Sequence, residues 1–273
     1  MTQIDLTGFY DLHIHSSPDV TPRSIDDIEA ATQAANAGMS GILLKSHSTT
    51  TADRATIAGK IVSGVVVYGS LTLNESVGGL NIAAVETALD LGAREIFMPT
   101  ISAANNLQAQ NRKGGISLIS NNQLSVVKEI VALIKEKNAI LGTGHISKEE
   151  IELLVRIATE QGLKKIVVTH PEHPLIKLTI PEQRDFLERG VYFERCFAST
   201  LPNIGDVPIE QIATAIKEIG ASSTLLTTDL GIVNYPVPVD GMRIYVDELQ
   251  ALGIVKEDIA VMVKKIPQML VEK

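Results

Sequence analysis

The chain has 273 residues, 24 Lys+Arg against 32 Asp+Glu for a formal net charge of -8, and a composition that is 45% hydrophobic and 21% charged. That composition supports a large core and excludes a disordered chain, while the acidic balance argues against a broad nucleic-acid or anionic-membrane surface. A single cysteine, Cys196, excludes an internal disulfide framework and cysteine-only metal sites, as suits a reducing compartment. No stretch reads as a signal peptide or a bilayer span, so the expectation is a cytoplasmic protein acting on a small molecule, with no nucleic-acid or membrane partner and with self-association left open.

Short apolar runs alternate with segments of helical period almost from end to end. Residues 9–15 read as a first buried strand, followed by a Ser-Ser-Pro-Asp loop, a helix over 25–37 capped by Ser24, and Gly38 as its stop. Residues 41–47 give strand 2 with a helix over 51–62, residues 65–74 strand 3 with a helix over 80–91, and residues 94–100 strand 4. A polar insertion follows at 101–122, with a small hairpin predicted at Lys113-Gly114-Gly115; long loops in compact domains are usually functional or disordered. After a helix over 124–137, residues 139–145 read as strand 5, 165–170 as strand 6, 191–197 as strand 7 and 223–229 as strand 8, with helices over 148–161, 181–188 and 209–219 between them. Two helices, 242–252 and 256–270, close the chain.

Eight strand–helix units are what a closed parallel barrel needs, and continuous apolar strands fit a parallel sheet covered by helices. The fold class is therefore α/β, a single (β/α)8 TIM-type barrel over 1–273 with no separate flanking β domain. An open doubly wound sheet is the alternative, disfavoured because no glycine-rich phosphate fingerprint follows strand 1.

The chemistry collects at strand ends. His13 and His15, one residue apart on an extended strand, point to one side and can clamp a metal. His47, His145, His170 and His173 also lie at or just past the C-terminal ends of strands, His47 as a candidate substrate contact with a histidine hydrogen-bonded behind the site the alternative, and Asp229 ends strand 8, beside strand 1 in a closed barrel. Imidazoles with a carboxylate suit zinc, manganese or iron better than calcium or magnesium. Lys45 shares a face of strand 2 with His47, and Glu194 faces inward on strand 7, where burial of an unpaired charge is costly. Cys196 reads as a small buried residue, and His173 as a solvated loop residue. Arg23, Arg112 and Lys113 lie in predicted loops on the site side and are candidates for an anionic substrate, with solvated charge the alternative. Asn74 is a candidate substrate contact, with turn formation the alternative for it and for Asn81.

The order His-x-His on strand 1, His on strand 5, His on strand 6 and Asp on strand 8 resembles the metal-dependent hydrolases of the amidohydrolase superfamily over nearly the whole chain. More narrowly, Lys45-Ser46-His47, Gly78-Gly79-Leu80-Asn81, Met98-Pro99-Thr100, Gly144-His145 and Val168-Thr169-His170-Pro171 are similar to uncharacterised bacterial proteins related to it. The resemblance implies a metal held by His13, His15 and Asp229, one or two ions per chain with zinc first and manganese or iron next, and His145 and His170 completing a second position or contacting substrate. It implies Asp229 as the proton carrier, with His170 or His145 stabilising an oxyanion. Many binuclear members carry a bridging Lys or Glu at the end of strand 4, where this chain has Met98-Pro99-Thr100; Lys45, carboxylated or binding a substrate carboxylate, and Glu194 are the candidate replacements. The expected reaction is hydrolysis of an amide, lactam or ester bond. Phosphoester hydrolysis or nonoxidative decarboxylation on the same site, and a non-catalytic ligand-binding barrel, are the alternatives.

Overall fold

The computed structural model describes residues 4–120 and 123–272. Nine parallel strands, β1 (Tyr10–His15), β2 (Gly41–Lys45), β3 (Val66–Tyr68), β4 (Ser70–Thr72), β5 (Glu95–Phe97), β6 (Ile140–Gly142), β7 (Ile166–Thr169), β8 (Tyr192–Cys196) and β9 (Thr224–Thr227), lie in ladders β1-β2-β3 and β4-β5-β6-β7-β8-β9. β3 and β4 are two halves of the predicted strand 3, broken at Gly69, where a Cβ would stand 2.4 Å from Ala52 Cα. Side chains bridge the break: Thr51 Oγ1 and Ser70 Oγ both donate to Leu44 O, at 2.6 and 2.9 Å.

The other seam closes through backbone. Asp229 N–H donates to His13 O at 2.8 Å, His15 N–H to Leu230 O at 2.8 Å, and Ile14 and Leu230 form a parallel bridge. The buried Asp11 carboxylate adds bonds from Thr228 N–H (3.0 Å) and Oγ1–H (2.6 Å). Eight barrel strands thus form one closed β/α barrel, as the alternation of strand and helix predicts.

Eight helices, Asp27–Asn36, Ala52–Ile61, Ile82–Asp90, Gln123–Glu136, Lys148–Glu160, Ile180–Glu188, Ile209–Ile219 and Pro238–Ala251, pack on the outside. Their apolar faces and the outward strand residues make two large buried clusters. A third cluster fills the axis at the N-terminal end, where Leu12, Leu43, Ile140, Val167 and Leu225 meet Ile266, Leu270 and Val271 of the last helix. That end is plugged with hydrocarbon, so the polar chemistry is confined to the opposite mouth.

Local differences from expectation have local causes. The first helix is capped by Asp26, not Ser24, because Asp26 and Glu29 form a reciprocal capping box. No hairpin forms at Lys113-Gly114-Gly115. Instead a short helix, Ala104–Ala109, carries the chain out, and Ala103 and Ile116 form a parallel bridge on its return. The insertion is therefore anchored on the barrel, with Leu118 N–H and Ser117 Oγ donating to Glu150 Oε1; residues 121–122 lie outside the described residues. The last predicted helix is interrupted by a π-helical turn, Val261–Lys265, just ahead of Pro267, which cannot donate a backbone bond.

Candidate metal centre

Five imidazoles form a closed circuit at the mouth. Ring centroids are 5.4 Å apart for His13–His15, 4.7 Å for His15–His47, 6.3 Å for His47–His145, 5.6 Å for His145–His170 and 5.5 Å for His170–His13. The β1–β2 register shifts between Asp11 and Ile14, the kind of local irregularity that re-aims side chains at barrel rims. His170 and Asp229, the first residues past β7 and two past β9, both adopt left-handed backbone, with φ of 51° and 53°. That turn aims their side chains back across the opening while their N–H groups still bond Glu194 O and His13 O.

The Asp229 carboxylate is the focus. His13 Nε2 lies 2.9 Å and His15 Nε2 3.0 Å from Asp229 Oδ1, and His170 Nε2 lies 3.5 Å from Oδ2. Burial opposes its charge, but His13 and the bonds from His13 and His15 hold the carboxyl well below its usual range. His13 is the partner that responds. Burial disfavours its cationic form, yet Asp229, and Glu194 at 2.9 Å from Nδ1, outweigh burial and the opposing Lys45 and lift its pKa to about 9. His15 goes the other way, to about 3, because burial dominates. Burial likewise holds His47, His145 and His170 neutral.

For His13 and His145, hydrogen bonds fix which ring nitrogen faces the opening. Glu194 accepts from His13 Nδ1, so Nε2 is the atom that faces the opening, and the pairing is of the carboxylate–histidine kind common behind metal ligands. Glu194 therefore stands behind His13, a correction to its expected place as a bridging ligand. Asn106 Nδ2 donates to Ile101 O, which turns its Oδ1 toward His145 Nδ1 at 3.1 Å and leaves His145 Nε2 as a lone pair. The insertion thus orients a site histidine, and Asn105 ties the same corner through bonds to His145 O and Leu175 O.

Lys45 is 1% exposed, with Nζ 2.8 Å from His13 Nε2 and 4.4 Å over the Phe97 ring. Burial lowers its pKa against the opposing pull of Asp229 and Glu194. Arg23 lines the mouth, with a side chain only 5% exposed and paired to Asp19, rather than lying in solvent. Arg112 and Lys113 are solvated and stay outside the cavity. Asn74 does not reach it either: its amide bonds His47 O, Thr100 Oγ1, Thr100 N–H and Ser102 N–H, so it shapes the turn behind His47. Asn81 caps the helix Ile82–Asp90. His173, expected in solvent, is half-buried 5.8 Å from His170, accepting from Leu175 N–H and donating to Ile204 O.

Two buried residues were not expected at the site. Cys196, on the same strand face as Glu194, lies 3.9 Å from His13 Nδ1, and ligand atoms of His13, His170, Cys196 and Asp229 fall within 4.8 Å of one another. It sits at the outer edge of the His13 ring, and burial pushes its thiol well above the usual range, so it is a weaker donor than His15. Glu95, on β5, is buried below the site, and burial with Glu194 nearby raises its pKa well above normal. Period-2 counting along β8 and β5 was the available signal for both.

A family model covers residues 8–194, that of a family of unknown function, DUF6282. The chain belongs to this family. No curated protein matches it in sequence. Solved structures resemble it along its length: a putative 2-pyrone-4,6-dicarboxylic acid hydrolase from Pseudomonas putida (16% identity, 98% of each chain, TM-score 0.63), an amidohydrolase from Pseudomonas aeruginosa (13%, 97% of this chain and 95% of that one, 0.62) and a dipeptidase described as a metallopeptidase (12%, 98% of each, 0.67). At these identities the likeness is one of fold. The family member described here has the barrel of the amidohydrolases, and among its described residues no helix is long and apolar enough to cross a membrane.

Proposed function

We propose that the chain is a metal-dependent hydrolase that cleaves an amide, lactam or ester bond of a small molecule. The observation that carries the reading is the convergence of His13, His15 and His170 Nε2 on one carboxylate, Asp229, at the mouth of a barrel. The donors fit a divalent transition metal, with zinc the first choice: imidazole Nε2 atoms of His13, His15 and His170 around an ionised carboxylate, and an outer carboxylate on His13 Nδ1. His13, His15 and Asp229 would hold it, and His145 and His170 would form a second position. A bound divalent metal supplies a Lewis acid that lowers the pKa of water toward neutrality and polarises a substrate oxygen.

The chain's own groups do the rest. Asp229 Oδ1 faces His13 and His15, while Oδ2, on the His170 side, is the oxygen free to take a proton from the attacking water and pass it to the leaving group. His170 steadies that carboxylate and the developing oxyanion. Lys45, on the inner face of His13, is the residue that carboxylation would turn into a bridge.

The test is elemental analysis of the purified protein, with esters, lactones, amides and aryl phosphates assayed with and without chelator. Chelator-sensitive hydrolysis that falls about 10²–10⁴-fold in Asp229→Asn is expected. A protein with no zinc or manganese affinity dependent on His13 and His15 sinks the reading, and Asp229→Asn that binds ligand unchanged, with no turnover by either form, favours a binding barrel. Turnover of aryl phosphates alone moves the bond to a phosphoester.

A further inference from the structure

The cavity above the metal centre is small, about 160 Å3, against roughly 300–1,000 Å3 for pockets that take drug-sized ligands. Its lining is unusual for a chain of net charge -8: Arg23, Lys45, five histidines and Ser199, with Asp229 as the one carboxylate. Two of these groups present fixed N–H donors that nothing among the described residues accepts.

The first is His47. Asn74 Oδ1 accepts from Thr100 N–H and Ser102 N–H, so its Nδ2 donates, one hydrogen to His47 O and one to Thr100 Oγ1. Thr100 is fully buried, and the remaining partner for its own hydroxyl hydrogen is His47 Nδ1 at 2.8 Å. His47 Nδ1 must accept, so the ring proton sits on Nε2, at the edge facing the cavity. His145, 6.3 Å away, is held in the opposite tautomer by Asn106. One ring is therefore built to offer a lone pair and its neighbour to offer a proton.

The second donor is Arg23. Asp19 Oδ2 holds one edge of the guanidinium through Nε (3.0 Å) and Nη2 (2.9 Å), and an antiparallel bridge between Arg23 and Ile232 fixes the backbone. Nη1 has no protein partner among the described residues. An arginine braced on one edge presents its other edge as a pre-organised fork for an anionic oxygen group. Both donors line the same cavity as His15, with the His47 ring 4.7 Å from the His15 ring.

We propose that Arg23 and the tautomer-locked His47 read an anionic oxygen group, a carboxylate or a phosphate, on a small substrate placed beside the metal centre. This deepens the hydrolase reading and rests on it for the word substrate; the recognition itself is a property of the two donors.

The experiment is titration calorimetry of the zinc-loaded full chain with malonate, inorganic phosphate and neutral malonamide. At least one anion should bind about tenfold or more tightly than malonamide, and Arg23→Gln should remove about tenfold of that affinity. His47→Leu should weaken the same anion, while His47→Gln, whose amide N–H stands in for Nε2–H, should restore it. Preference for malonate assigns a carboxylate, and preference for phosphate assigns a phosphate group. Imidazole nitrogen NMR should report the Nε2–H form of His47 and lose that bias in Thr100→Val. Anions binding no better than malonamide, unchanged anion affinity in Arg23→Gln and His47→Leu, or an Nδ1–H form of His47 overturns the proposal. If the wild type takes up no zinc, the hydrolase reading falls, and the same titrations on the metal-free protein still decide the anion site.

Discussion

Glu194 Oε1 lies 2.9 Å from Nδ1 of His13, on the opposite edge of the ring from Asp229. The contact fixes Nδ1 as the donor and would make His13 Nε2 a stronger metal ligand, and Thr227 Oγ1 steadies the same oxygen at 3.1 Å. Glu194→Gln keeps the shape and removes the charge. Outer partners of this kind typically contribute about 10–100-fold to metal affinity, so the variant should bind zinc at least about tenfold more weakly while circular dichroism stays unchanged. Competition titration with a chromophoric chelator measures it, and wild-type affinity in the variant would remove Glu194 from the site.

Metal uptake should depend on pH through His13. Its pKa in the metal-free protein, about 9 against 6.5 for the free side chain, means the ring is protonated at neutral pH and the metal must displace that proton. Zinc affinity should rise about tenfold per pH unit from pH 7 toward 9 and then flatten. His15, at about 3, is already neutral throughout and adds no slope. Stability of the metal-free protein should move oppositely. A raised pKa contributes stability that is full below about 6.5 and is lost as pH rises through about 9, so its thermal midpoint should fall across that window. A pH-independent zinc affinity contradicts the assignment.

Lys45 should control the number of metals. Its Nζ is on the inner edge of His13, and burial eases loss of its proton, which leaves the neutral amine whose lone pair attacks carbon dioxide. Loading with bicarbonate should raise the metal count from one toward two per chain, with a matching carboxyl adduct on Lys45, and Lys45→Met should stay at one. Equal counts with and without bicarbonate would leave Lys45 as a substrate-facing amine.

Gly231 should tolerate no side chain. Its φ is 117°, and a Cβ there would stand 1.6 Å from His15 O, inside the seam where β1 meets the chain after β9. Gly231→Ala should cost at least about 2 kcal/mol in urea unfolding and weaken metal binding, because the seam carries both His15 and Asp229. Gly190→Ala, where a Cβ meets nothing within 4 Å, is the control for backbone strain alone.

The alternation of apolar runs with helical segments determines the barrel by itself, because strand number and parallel connection follow from local periodicity. His13, His15, His145, His170 and Asp229 were legible for the same reason, since the end of a barrel strand is a place in the sequence as much as in space. Strand 3 reads as one segment because nothing local announces that Ala52 crowds Gly69. The tertiary structure alone decides what each polar side chain faces. Glu194 looks like a bridge until His13 Nδ1 is seen to hold it, Asn74 looks like a substrate contact until its four bonds are counted, and His47 and His145 look alike until Thr100 and Asn106 give them opposite tautomers. Those partners lie dozens of residues away and meet only when the barrel closes, so no local pattern encodes them.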